Sequence, residues 1–143
     1  MRIYRRRCFY PGILILTVFY MALCLFGCGV EKTDESRVED IDYCIVEESD
    51  IPGELMEKIQ EKKAADLKMV FENDDFVYIV RGYGEQETGG YSIQVTDVYL
   101  TKNAVVFRSN LVGPSKDEVK NAAPSYPYVV LKIQNMGRNV IFE

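Results

Sequence analysis

Over most of residues 41–143 apolar and polar positions alternate with a period of two, the pattern of strands that bury one face. "IDYCIVE" (41–47) reads as a first strand, with Cys44 as a small core residue. "LKMVFE" and "FVYIVRGY" flank "NDD" (73–75), turn residues that suit a hairpin. "YSIQVTDVYL" and "NAVVFRSNL" are separated by Thr101 and Lys102, a second tight connection. "YPYVVLKI" and "NVIFE" flank "QNMGR", where Gly137 can take a positive φ, and a third hairpin is expected there. One stretch breaks the pattern. In "SDIPGELMEKIQEKKAADLK" Leu55, Met56 and Ile59 fall on one helical face, Pro52 and Glu54 in a first turn that Asp50 can cap, and Lys58, Lys62 and Lys63 toward the end. This predicts one helix of about four turns at most, its apolar stripe lying on a sheet.

Within "YSIQVTDVYL" the parity changes. Ile93 and Val95 point one way, whereas Val98 and Leu100 have the opposite phase. A β-bulge near Thr96 and Asp97 restores all four to one face and bends the strand. The expected fold is therefore α+β: one curved antiparallel sheet of about six to seven strands, partly barrel-like, with one helix packed on it. "VGPSKDEVKNAAPS" (112–125) is the longest connection, with one helical turn expected over 115–121.

The first forty residues follow a different rule. Arg2, Arg5, Arg6 and Arg7 precede an uncharged apolar run over 9–26, the arrangement of an export signal. The run ends in "LFGC" (25–28), which resembles the lipobox of bacterial lipoprotein signals, although Phe26 stands where a small residue is usual. On that reading residues 1–27 are a signal peptide and Cys28 carries the lipid. The run is also near the length of a membrane span, so an uncleaved helix is the other reading. Both place residues after Cys28 outside the cytoplasmic membrane. Residues 28–40 are polar and aperiodic and read as a tether to a domain at 41–143. Without the four arginines of the signal, 13 basic residues remain against 22 acidic ones, a net charge of −9 that disfavours nucleic acid and anionic lipid surfaces.

The chain has no histidine and no tryptophan, so histidine-based triads and most zinc sites are excluded. No G-x-S-x-G, P-loop or helix-opening glycine motif occurs, and Asp74 and Asp75 sit in a turn where acids are common. Cys44 has no histidine to activate it. Neither an enzymatic activity nor a cofactor is expected.

"GYGEQETGGYSIQV", followed by "SYPYVVLKI", is similar to the C-terminal domain of the protease complex subunit PrcB family. The resemblance covers residues 76–142 and rests on Thr88, Gly89, Gly90 and Tyr91, on Pro114, and on Tyr126, Pro127 and Tyr128. It implies an exported, often lipid-anchored protein without assigned catalytic residues. Its expected partner is another envelope or secreted protein, a protease among them. Thr88, Gly89, Gly90, Tyr91, Tyr126 and Tyr128 are the candidate contact residues. Two further functions stay open: a protease inhibitor acting through the Thr88–Tyr91 loop, which distantly resembles a loop of chagasin-type inhibitors, and a module for a small-molecule or cell-wall ligand. The glycine pair has two readings, a left-handed turn ahead of the strand or room for a partner's chain. Backbone geometry is the more economical of them.

Overall fold

The computed structural model describes residues 36–115 and 122–143. The expected signal peptide and the lipidated Cys28 lie outside the described residues, and so does the expected helical turn from residue 116 onward. Among the described residues no helix is long and apolar enough to cross a membrane.

Among the described residues eight strands form two sheets of four. They are β1 (Arg37–Asp40), β2 (Cys44–Ile45), β3 (Asp66–Glu72), β4 (Phe76–Tyr83), β5 (Ser92–Thr101), β6 (Ala104–Val112), β7 (Tyr128–Gln134) and β8 (Asn139–Phe142), with one helix, α1 (Gly53–Lys62), between β2 and β3. The first sheet has the order β1-β5-β6-β8 and the second β2-β7-β4-β3. The α+β class and the single helix agree with the sequence reading. The single, partly barrel-like sheet of six to seven strands does not: the chain builds two separate sheets, and no closed barrel forms.

The reason lies in how β4 and β7 are buried. Val77 and Ile79 of β4, with Val129, Leu131 and Ile133 of β7, pack against Val98, Val105 and Phe107 of the other sheet. The intervening residues Tyr78, Val80 and Val130 pack against Leu55 and Ile59 of α1. The second sheet is thus covered on both faces. A strand buried on both sides must be apolar at nearly every position, as "FVYIV" and "YVVLKI" are. The helix expectation is met on Leu55 and Ile59, both fully buried, with Met56 at the margin.

Two of the hairpins form as expected, β3 with β4 around Asn73, whose side chain accepts the Phe76 N–H at 2.7 Å, and β5 with β6. The β5–β6 register slips between Val95 and Asp97, where the parity change placed a bulge. The third hairpin is a correction. After β7 the chain leaves the second sheet, and β8 pairs parallel to β6 in the first. Val140 and Phe142 thereby join the core between the sheets, Phe142 meeting Phe107 edge to face at 5.7 Å. Burial there outweighs the short turn at Gly137.

Three local expectations also change. Arg37–Asp40, inside the stretch read as tether, is an edge strand antiparallel to β5, and Arg37 pairs with Asp40 and, at 3.0 Å, with Asp97. Asp50 does not cap the helix. It closes a 3-10 turn over Glu48–Asp50, and buried Ile51 separates it from α1, which starts after Pro52. Cys44 is exposed rather than core. It lies on the outermost strand of the second sheet, beside Lys132, while α1 packs toward β3 at the other edge.

Candidate functional site

The six candidate residues gather at one end of the second sheet but fall into two separate environments. Thr88, Gly89, Gly90 and Tyr91 belong to the crossing from β4 to β5, from one sheet to the other. This crossing is fastened at both ends. Gly84 enters it at φ 72°, where an added Cβ would lie 3.2 Å from the backbone of Ala64 and Ala65, and the Tyr83 hydroxyl donates to the Ser109 carbonyl of β6 at 2.7 Å. Gln86 and Ser125 exchange two backbone hydrogen bonds, and the Ser125 hydroxyl donates to the Thr88 carbonyl at 2.7 Å.

Gly90 answers the question raised by the glycine pair. Its φ is 89°, a left-handed conformation that side-chain-bearing residues rarely hold. A Cβ on Gly90 would lie 2.9 Å from the Cβ of Pro114. The close approach is therefore made by the chain itself. One residue on, the Tyr91 ring lies over Gly113, where an added Cβ would sit 3.3 Å from the ring. The Gly89–Tyr91 turn and the Gly113–Pro114 corner are shaped to each other.

Tyr126 and Tyr128 are placed differently. They lead into β7 beside a groove of about 350 Å³ lined by Ile45, Val46, Glu48, Ile51 and residues 126–130. None of Thr88–Tyr91 lines it. The Tyr126 hydroxyl donates to the Glu85 carboxylate at 3.2 Å, and the Lys63 ammonium stands 5.5 Å over its ring. The bond to Glu85 holds the neutral phenol and raises the Tyr126 pKa above the ordinary tyrosine value. Tyr128 is half-buried against the helix-side core, and that burial, reinforced by the carboxylate of Glu48, raises its pKa too. Ile45, one wall of the groove, is 61% exposed. Among the described residues no cluster of acids and cysteines could hold a metal ion.

Residues 77–134 match a protein-family model, PrcB C-terminal, from the second residue of β4 to the last of β7. That segment is similar to the PrcB C-terminal family. Its matched segment contains all six candidate contacts and Pro114. No curated protein and no solved structure matches the chain. The PrcB C-terminal match has a structural meaning, because β4, β5, β6 and β7 are the central strands of the two sheets. The strands outside it, β1, β2, β3 and β8, are the four sheet edges, and α1 lies outside it as well.

Sequence reasoning found both signature segments but missed what faces them. Gly113 completes the first. Ile45, Val46, Glu48 and Ile51 complete the second, and nothing in their spacing marks them, since their role depends on where β2 stops.

Proposed function

We propose that this chain is a non-catalytic binding subunit that associates with another envelope or secreted protein, as an accessory part of a cell-surface protease complex. The observation that carries this reading is the PrcB C-terminal match over the central strands, a family associated at the coarse level with a protease complex. The groove beside Tyr126 and Tyr128, whose lining combines apolar and aromatic side chains with polar surface and the acid Glu48, agrees with a peptide-binding surface. A lipid on Cys28 would hold the domain at the outer face of the cytoplasmic membrane.

Recovery of the tagged chain from crosslinked membranes, followed by mass spectrometry of what accompanies it, tests the reading. A reproducibly enriched protease or protease-associated protein is expected. Recovery of the chain alone sinks the reading, as does direct inhibition of secreted subtilisin-like or papain-like proteases by the purified domain. Anchoring is tested separately by palmitate labelling, which Cys28→Ala should abolish.

A further inference from the structure

One edge of β7 is left open inside the groove. On its inner side β7 pairs with β4 over residues 128–134, but on its outer side β2 supplies only two residues, Cys44 opposite Lys132 and Ile45 opposite Leu131. The Val46 N–H adds a bond to the Val130 carbonyl at 2.9 Å, and the chain then leaves through the turn at Glu48–Asp50.

Backbone groups of successive residues in a strand face opposite edges. Ser125 exchanges bonds with Gln86, and the Pro127 carbonyl accepts the Tyr83 N–H at 3.2 Å, so residues 125, 127 and 129 address the inner side. Tyr126, Tyr128 and Val130 therefore face outward. Val130 is engaged by Val46, whereas no described group bonds the N–H or C=O of Tyr126 or Tyr128. Pro127, the residue without a donor, occupies an inward position and leaves the outward row intact. An unpaired row of this kind is a template for another strand.

We propose that the Tyr126–Tyr128 edge binds an extended segment of the partner protein as an added strand that continues from where β2 ends. The inference rests on the protein-binding reading and specifies its mode. Residues of the added strand would alternate between the two faces of the edge, one apolar side chain beside Val46, Ile51 and Tyr128 and the next beside Ile45 and Val129. Charge sets the flanks. Glu48 lines the groove, Glu47 and Asp50 adjoin it, and none of the three forms an ion pair among the described residues. The segment is accordingly a short β-branched run bounded by basic residues.

The probe is the capped peptide Lys-Thr-Val-Ile-Val-Thr-Lys, titrated into the isotope-labelled full chain in detergent micelles. A peptide with glutamate in place of lysine serves as control. Amide hydrogen exchange at Tyr126 and Tyr128 should slow at least ten-fold with the basic peptide and stay unchanged with the acidic one. Ile45→Lys and Glu48→Lys should each weaken binding at least ten-fold, Ile45→Lys with an unchanged circular dichroism melt.

The proposal is overturned if neither amide is protected, or if protection falls on Lys68 and Val70 of the other open edge, β3. It is also overturned if the two amides already exchange slowly in the chain alone, which would mean that another part of the chain or a second copy covers the edge. Partner recovery from membranes by Ile45→Lys at the unsubstituted level would defeat the added strand and leave the protein-binding function standing. Peptide protection of the edge with no partner ever recovered supports the edge and defeats the protease-complex reading.

Discussion

The two signature segments of this domain lie at the same end of one sheet and are used in opposite ways. The Thr88–Tyr91 crossing is closed by the chain's own atoms, with Pro114 under Gly90, Gly113 under Tyr91 and Ser125 on the Thr88 carbonyl. The Tyr126–Tyr128 segment turns its backbone toward a groove and finds no described partner there. Motif residues next to each other in space can thus divide into those that build a platform and those that present it. What separates them is whether the polar groups and close contacts are satisfied internally.

Stability measurements break that comparison most sharply at Gly90. Gly90→Ala places a Cβ in a left-handed backbone and against Pro114, together costing about 2–4 kcal/mol. For a domain of this size the melting temperature should fall by roughly 10 °C or more. Pro114→Gly in the same chain should recover part of that loss, because it removes the Cβ that the new side chain meets but not the backbone strain. A change of only a degree or two for Gly90→Ala would reopen the glycine pair as a contact site. Ser125→Ala comes next. Loss of the hydroxyl bond to the Thr88 carbonyl should cost about 1 kcal/mol, read from the same denaturation curves.

The tyrosines give a smaller effect that reports on the open side. Tyr126 and Tyr128 should ionise above 10.0, the ordinary tyrosine value, in an ultraviolet phenolate titration. Glu85→Gln should move Tyr126 back toward it. A raised folded pKa means that the neutral form is favoured by folding. The resulting stabilisation is complete below about pH 10 and is lost as pH rises through the folded-state values. Coincident titration of Tyr126 with and without Glu85 would contradict the hydrogen bond. The smallest expected effect is at Ile45, where a largely exposed side chain makes Ile45→Lys neutral to stability within about 0.5 kcal/mol.

The strands of the matched region were legible from the sequence, and so was the bulge at Thr96–Asp97, because a two-residue period reports directly on which side chains are buried. Partnership between strands was not. The period tells that Val140 and Phe142 share a face but not that this face completes a different sheet. The cue that was present, and read too simply, is the contrast between the clean alternation of "SIQV" in β5 and the unbroken apolar run "FVYIV" in β4. The run marks a strand covered twice, hence a second layer. The same limit applies to the site. Thr88–Tyr91 and Tyr126–Tyr128 stand out in the sequence, whereas Ile45 looks like an ordinary strand residue. It becomes a groove wall only because β2 ends at once and the chain departs through Glu48–Asp50.

The most direct test is a crossed measurement on two single variants, reading melting temperature and affinity for the basic strand peptide on each. Gly90→Ala should lower the melting temperature and, below it, bind the peptide with unchanged affinity. Ile45→Lys should melt like the unsubstituted chain and bind at least ten-fold more weakly. The opposite pairing, with Gly90→Ala stable but unable to bind and Ile45→Lys binding normally, would contradict the account and make the glycine crossing the contact surface.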